Sequence, residues 1–191
     1  MALINVASRE IHCKIVYYGP GFCGKTTNIE YIHSQAPKEV KGELLSIATE
    51  TERTIFFDFL PLDLGTVAGF RTRFHLYTVP GQIIYEKTRV AVLNGSDGIV
   101  FVADSNRSRL QDNVASIKEL QRVVSAQGRQ LADLPLVIQY NKRDLPSALP
   151  IPVLNAMINP LKRSHFEAVA VKGQGVFDTL RAISKEVISK L

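Results

Sequence analysis

The residues best suited to chemistry in this chain form one glycine-rich stretch, Gly19-Pro20-Gly21-Phe22-Cys23-Gly24-Lys25-Thr26. Its spacing, G-x-x-x-x-G-K-[ST], is that of a loop that holds phosphate groups. Glycines let the backbone turn its N–H groups towards anionic oxygens, and a helix that begins there adds its positive end. Lys25 would reach the terminal phosphates, and the Thr26 hydroxyl would ligate Mg²⁺. The stretch therefore predicts a site for a nucleoside phosphate and Mg²⁺.

The elements that must position this loop are present on both sides of it. Residues 11–18 are apolar and rich in β-forming side chains, which predicts a strand, and a helix is predicted from Thr27 to just before Pro37. An ordinary glycine-rich turn is the alternative, but strand, loop and helix in this order favour phosphate binding. Cys23 is expected to be a small loop residue rather than a nucleophile, because no base lies near it in the sequence. The residues expected to contact the nucleotide here are Gly19, Gly21, Phe22, Cys23, Gly24, Lys25, Thr26 and Thr27.

Strand and helix patterns alternate along most of the remaining chain. The predicted elements, in chain order, are strand 55–60, strand 71–78, helix 83–93, strand 97–103, helix 110–124, strand 136–140, helix 150–162, strand 166–171 and helix 176–187. The first two strands are expected to form an antiparallel hairpin, the first of them ended by Pro61. Residues 38–53 are polar and predict a long functional loop, and residues 1–8 fit either an edge strand or a loose arm. This predicts the α/β class: a mostly parallel sheet with one antiparallel strand and helices on both faces.

The composition fits a single domain that spans residues 1–191. Hydrophobic residues make up 46% of the chain, which argues against disorder. The net charge of +5 suits a phosphate ligand or an acidic partner without requiring a nucleic-acid partner, and we expect no nucleic acid to bind. Cys13 and Cys23 form no disulfide framework or zinc pattern, which indicates a reducing, cytoplasmic location. The longest apolar runs are far too short for a membrane span, so none is expected.

A second group of polar side chains follows the strand predicted at 136–140. Asn141-Lys142-Arg143-Asp144 resembles the N-K-x-D motif by which GTP-binding proteins recognise guanine. The Asp144 carboxylate would accept hydrogen bonds from N1–H and the exocyclic amine of guanine, whereas adenine would leave it unpaired. Asn141 would brace the loop, and the Lys142 stem would cover one face of the base. A solvated turn is the alternative for four residues alone, but their position after a buried strand favours guanine.

Together these segments make the chain, from about residue 4 to its end, resemble a small Ras-like GTPase of the P-loop NTPase class, and within that class the bacterial MglA group. The resemblance also rests on the loop 49–54 and on Thr78-Val79-Pro80-Gly81-Gln82. It implies that the backbone N–H of Ala170 meets the guanine O6, although Val169 and Val171 replace the family's serine and lysine. A plain strand end is the alternative there. The resemblance also implies that a side chain at Gly21 would crowd the γ-phosphate.

One position departs from the pattern of Ras-like proteins, in which the Asp of D-x-x-G holds Mg²⁺ through water. Thr78 stands there, and its hydroxyl lacks the charge that a hard cation prefers. Either the loop threonine and the phosphates hold the ion, or Asp58 on the neighbouring strand compensates, and we hypothesise the second. Thr54 is the expected switch hydroxyl on Mg²⁺, with Thr49 and Thr51 as competitors.

Hydrolysis of the γ-phosphate would depend on positioning and on neutralising charge. By resemblance, Gln82 orients the attacking water, and the N–H of the preceding Gly81 meets the γ-phosphate. The resemblance also makes Arg53 a candidate for an arginine supplied in cis. The alternatives are a surface glutamine and a solvent-facing loop arginine.

The sequence therefore predicts a switch that binds GTP, hydrolyses it slowly to GDP, and is stimulated by a partner. The resemblance implies a homodimeric MglB-type GTPase-activating protein, downstream polarity or motility effectors, and recruitment of the cytoplasmic protein to cell poles. Two other functions stay open. Thr78 favours a nucleotide-dependent interaction module with vestigial hydrolysis, and a P-loop kinase of a small metabolite is a third reading, against which the N-K-x-D match argues.

Overall fold

The computed structural model describes residues 2–49, 52–81 and 85–191, with the side chains of 47–49 and 52–56 left aside. Strands and helices alternate along these ranges. They are β1 (Leu3–Asn5), β2 (Glu10–Tyr18), α1 (Lys25–Gln35), β3 (Leu45–Thr49), β4 (Glu52–Val67), β5 (Phe70–Thr78), α2 (Glu86–Leu93), β6 (Gly98–Asp104), α3 (Leu110–Ala126), β7 (Leu136–Asn141), α4 (Ile151–Ile158), β8 (His165–Glu167) and α5 (Val176–Ile188).

These strands form one mixed sheet with the order β3-β4-β5-β2-β6-β7-β8, and β1 pairs with β2 beside this path. Strands β5, β2, β6, β7 and β8 are parallel neighbours. The predicted hairpin is confirmed, because β4 runs antiparallel to β5. The pairs β3–β4 and β1–β2 are also antiparallel, so the N-terminal segment forms an edge strand. The predicted α/β class is confirmed.

The core lies on both faces of this sheet. Every residue of β6 and β7 is buried, as the continuous apolar runs predict for central parallel strands. One cluster joins the sheet to α1 and α5 through side chains such as Ile29 and Ile183. The other joins it to α3 and α4 through Leu120 and Leu154. This packing fixes the carboxyl ends of the parallel strands, where ligands of such sheets bind.

The predicted long loop at 38–53 is wrong in its second half. Residues 45–49 form β3, which pairs with β4 from Leu45 opposite Phe59 to Thr49 opposite Glu52. Leu45 is 47% exposed. An edge strand of this kind is formed by pairing with its neighbour rather than by burial, and its five residues lie within a largely polar segment.

The predicted end of a strand at Pro61 is also wrong, because β4 continues to Val67. The Pro61 carbonyl accepts a hydrogen bond from the Gly42 N–H at 2.9 Å, on the side of β4 that faces β3. The N and the O of one strand residue point to the same side, so the missing N–H of Pro61 also faces that edge, beyond the end of β3. Proline therefore breaks no pairing with β5.

The strand predicted at 166–171 ends early. Strand β8 stops at Glu167, and residues Ala170–Lys172 form a turn of 3₁₀-helix. This turn leaves the sheet at its carboxyl edge, next to the end of β7. In the described ranges, we find no helix that combines the length and apolar character needed to cross a membrane.

Candidate functional site

The glycine-rich loop joins the end of β2 to the start of α1, as the sequence predicts. Lys25 is the first residue of α1 and is buried, and its ammonium donates to the carbonyls of Gly19 at 2.9 Å and Pro20 at 2.7 Å. The cation is thus held inside the loop, beside the N-terminus of α1, where an anion is favoured. Cys23 is buried, and burial raises the pKa of its thiol, so its chemistry is that of a small loop residue rather than a nucleophile.

Two glycines of the site have no room for a side chain. Gly24 has a φ of +102°, and a Cβ there would lie 2.2 Å from Nδ2 of Asn141. A Cβ on Gly81 would lie 2.3 Å from the backbone N of Gly21. The loop after β5 therefore lies directly against the phosphate loop at Gly21. Phe22, between Gly21 and Gly24, also has a positive φ of 62° and is 79% exposed.

A cluster of oxygen atoms surrounds Asp58 at the start of α1. Its Oδ2 accepts hydrogen bonds from the hydroxyls of Thr26 at 2.6 Å and Thr78 at 2.8 Å. Its Oδ1 accepts from the Ser46 hydroxyl at 2.8 Å, and its backbone N–H donates to Thr78 Oγ1 at 2.8 Å. Asp58 is 2% exposed. A buried carboxylate among hydroxyl oxygens is a donor set that suits a hard cation such as Mg²⁺.

The other end of the site lies where β7 ends. The Asn141 amide donates to the Cys23 carbonyl at 2.8 Å, and its Oδ1 accepts from the backbone N–H of Ala170 at 2.9 Å. Asn141 thus braces the phosphate loop against the turn after β8, as predicted for this residue type. The N–H of Ala170, the expected donor to guanine O6, therefore donates to Asn141 in this structure.

Lys142 and Asp144 follow on the same loop. Lys142 has a positive φ of 63°, and its ammonium pairs with Asp104 Oδ2 at 2.7 Å. This ion pair holds the lysine stem along the carboxyl edge of the sheet. The Asp144 carboxylate lies 3.2 Å from the ammonium of Lys172, which places it beside the 3₁₀ turn. The phosphate loop and the loop from Asn141 to Asp144 therefore both lie at the carboxyl edge of the sheet.

Several predicted residues fall outside what the structure describes. Gln82 and Thr51 lie outside the described residues. The backbones of Thr49, Arg53 and Thr54 belong to β3 and β4, but their side chains are not described. The predicted contacts of these residues remain predictions.

Besides Ser46 in the cluster around Asp58, two residues of the site, Arg109 and Asp104, have no counterpart among the predictions. The Arg109 guanidinium, just before α3, donates to the Gly21 carbonyl at 2.9 Å and pairs with Asp112 at 2.5 Å. Asp104, the partner of Lys142, ends the buried strand β6. Asp104 could have been predicted from the sequence, since a carboxylate at the carboxyl end of a parallel strand lies at the edge where ligands bind. The contact of Arg109 with Gly21 could not have been predicted, because 88 residues separate the two.

A cavity of about 590 Å³ lies elsewhere, between α3, β7 and α4. Ile117, Leu131 and Ile158 are among the residues that line it, and none of the predicted site residues does. Its volume lies within the range typical of small-molecule sites. The phosphate loop and the polar groups around it identify the carboxyl edge of the sheet instead.

Comparison with known proteins gives matches along nearly the whole chain. A model of the ADP-ribosylation factor family matches residues 2–187. The "Mutual gliding-motility protein MglA" of Myxococcus xanthus (strain DK1622) is 53% identical over 191 residues, which cover 100% of this chain and 98% of that protein. ADP-ribosylation factor-like protein 6 of Caenorhabditis elegans is 29% identical over 198 residues, covering 97% of this chain and 91% of that protein. ADP-ribosylation factor-like protein 4C of Homo sapiens is 24% identical over 191 residues, covering 96% and 90%.

Proposed function

This chain belongs to the ADP-ribosylation factor family, as a small Ras-like GTPase of the MglA type, and from that premise we propose that residues 1–191 form a single GTPase domain that cycles between GTP and GDP. The observation that carries the proposal is the meeting of three groups at one sheet edge. They are the phosphate loop with Lys25, the oxygen cluster around Asp58, and the loop from Asn141 to Asp144.

Guanine selectivity would come from the loop after β7. Asp144 would accept from the two N–H groups of guanine, and the Lys142 stem, held by Asp104, would cover the ring. Asn141 already takes the N–H of Ala170. Ala170 stays the expected donor to guanine O6, and the N–H of Val171 is the alternative, because it lies in the first turn of the 3₁₀-helix, where backbone donors lack helical partners.

Mg²⁺ would be held by Thr26, with Asp58 supplying the charge that Thr78 lacks. The hydrogen bonds that join these three side chains support that assignment. Thr54 would add its hydroxyl in the GTP state. When bound, the ion neutralises charge on the phosphate oxygens.

Hydrolysis would use Gln82 to orient water, the N–H of Gly81 to meet the γ-phosphate, and Arg53 to stabilise developing charge. The close approach of Gly81 to Gly21 supports a role for this loop as a sensor of the γ-phosphate. Loss of that phosphate would release the loop and the strands β3 and β4, and a partner that prefers one state would read the difference.

The cellular role follows from the relative whose name refers to gliding motility. We propose that the protein controls motility and cell polarity, with recruitment to cell poles, through downstream effectors. A homodimeric MglB-type activating protein would stimulate its hydrolysis. The alternative of an interaction module with vestigial hydrolysis draws on Thr78 alone, and the contact of Thr78 with Asp58 weakens it.

Two measurements test this function. Calorimetric titration with GDP, GTP and ATP should show tight, Mg²⁺-dependent binding of the guanine nucleotides and none of ATP. Single-turnover hydrolysis of GTP should be slow and should accelerate with a purified activating partner. Equal affinity for ATP would refute guanine recognition, and turnover that no partner accelerates would favour the interaction module.

A further inference from the structure

Three polar side chains lie inside the core, beneath the nucleotide edge of the sheet. They are Asn28 of α1, Gln139 of β7 and Thr179 of α5, and we call them the polar bridge. Each is 0% exposed. None belongs to the phosphate loop or to the base motif. Buried polar groups of this kind are costly unless every hydrogen bond is made, so their bonds show what they are for.

The hydrogen bonds of the polar bridge run without a break from one end to the other. Asn28 Nδ2 donates to the Gly24 carbonyl and to Gln139 Oε1, both at 2.8 Å. Gln139 Nε2 donates back to Asn28 Oδ1 at 2.9 Å and to Thr179 Oγ1 at 3.0 Å. The Thr179 hydroxyl donates to the Gly175 carbonyl at 2.7 Å. Every side-chain N–H and O–H hydrogen of the three residues therefore has an acceptor.

The two ends of the polar bridge are the backbone carbonyls of Gly24 and Gly175, each four residues before the side chain that bonds to it. Gly24 closes the phosphate loop immediately before Lys25. Gly175 caps α5, three residues after the end of the 3₁₀ turn Ala170–Lys172. The polar bridge therefore ties the loop that would hold phosphate to the turn that would hold the base, through strand β7.

A second connection, made by Asn141, lies beside the polar bridge and closer to the carboxyl end of β7. Gln139 and Asn141 are two residues apart on β7, so their side chains point to the same face of the sheet. Asn141 joins the Cys23 carbonyl to the N–H of Ala170. Both connections thus link the phosphate loop to the base-binding turn. The distance between these two segments is therefore held by two sets of hydrogen bonds, one through Gln139 and one through Asn141.

We propose that Asn28, Gln139 and Thr179 are positioning residues, which set the separation between the phosphate loop and the base-binding turn for a guanine nucleotide that spans both. The inference rests on the proposed function, since it assumes that one ligand contacts both ends. A ligand gripped at two points binds more tightly when the two sites are held at the right distance before it arrives. The bridge therefore contributes to the affinity and residence time of GDP and GTP.

Stability of the fold does not by itself call for these residues. Well-packed apolar side chains of similar volume commonly replace a buried polar group with no loss of stability. A triple variant, Asn28→Leu/Gln139→Met/Thr179→Val, keeps side chains of similar shape and removes every bond of the polar bridge. We expect it to unfold thermally at or above the wild-type temperature, yet to release fluorescent GDP about tenfold faster.

A pair of single variants isolates one bond. Thr179→Val removes the hydroxyl that joins Gln139 to Gly175, whereas Thr179→Ser keeps it. We expect GDP release to accelerate about threefold in the first and to stay within about 1.5-fold of wild type in the second. Asn159→Leu is the matched control for burial. Asn159 is 6% exposed and bonds to the backbone of Arg163 after α4, so its loss should lower thermal stability and leave GDP release unchanged.

The outcomes separate the two proposals. Wild-type GDP release in a folded triple variant overturns the polar bridge and leaves the GTPase function intact. If the triple variant does not fold, equal release by Thr179→Val and Thr179→Ser overturns the inference in the same way. If the wild-type protein binds GDP no better than ADP, the proposed function fails, and this inference fails with it.

Discussion

Replacing Asp58 by Asn removes one negative charge from the metal side of the site and keeps the shape of the side chain. The carboxylate accepts from Thr26, Thr78 and Ser46, and Asp58 is 2% exposed. Among the side chains that the structure describes, none of its partners is cationic. A buried carboxylate that has only hydroxyl partners is prepared for a cation that arrives with the nucleotide.

The size of the effect follows from this charge. A pair of unit charges about 4 Å apart attracts by about 4 kcal/mol at an effective dielectric constant near 20, before the cost of dehydrating the ion. Losing a group that orients metal ligands typically lowers metal affinity about 10- to 100-fold. We expect a loss of that order in Mg²⁺-dependent GDP affinity. Without Mg²⁺ and nucleotide, Asp58→Asn should be at least as stable as wild type, because a buried unpaired charge is gone.

Release of fluorescent GDP with Mg²⁺ and after chelation with EDTA measures the effect. Wild-type protein should release GDP much faster once Mg²⁺ is removed, and the ratio of the two rates should fall towards one in Asp58→Asn. Asp63→Asn is the matched control, since Asp63 lies on the same strand and pairs with Arg71 instead. If Asp58→Asn keeps the wild-type ratio, Asp58 does not act on the ion, and the assignment is refuted.

Three further predictions concern other parts of the molecule. Arg53→Ala should abolish partner-stimulated GTP hydrolysis in single-turnover assays and leave GTP affinity unchanged; retained turnover would remove Arg53 from the mechanism. Gly81→Ala should weaken nucleotide binding by calorimetry at least about tenfold, because its Cβ would lie 2.3 Å from the Gly21 N, whereas Gly95→Ala, with open space around it, should leave binding unchanged. Burial and the neighbouring imidazole and guanidinium lower the pKa of His75 below its usual 6.5, so the unfolded chain takes up the proton first. The free energy of unfolding should therefore decline as the pH falls from about 7 towards 5, and less so in His75→Gln; equal declines in denaturant titrations would contradict this.

Most of the fold could be predicted because its pattern is local. The apolar runs of β6 and β7 and the one-sided stripe of α5 reflect burial directly, and the structure confirms them. Of the apolar stripe predicted for α3, Leu120 and Val124 are buried, whereas Leu110, Val114 and Ile117 are half-buried. Strand β3 could not be predicted, since its pairing with β4 forms it and its five residues lie within a largely polar segment. The prediction that a strand ends at Pro61 was wrong for a related reason. A proline ends a strand only if its N–H is needed, and the edge that it faces can be known only from the strand order.

The same distinction divides the site. Asp58 could be proposed from the sequence as the partner of Thr78, because a predicted antiparallel hairpin joins the two residues and the register places them side by side. The motif loops could be placed because they follow predicted strands. Asn28 and Gln139 are 111 residues apart, and their reciprocal amide pair leaves no trace in either local pattern. Asn28 is one of several polar residues at the start of α1, and Gln139 is a single polar residue among apolar neighbours. Contacts within a patterned pair of strands are therefore predictable, whereas contacts that join distant elements through the core require the structure. Asn28, Gln139 and Thr179, which we propose hold the two halves of the nucleotide site together, make contacts of this long-range type.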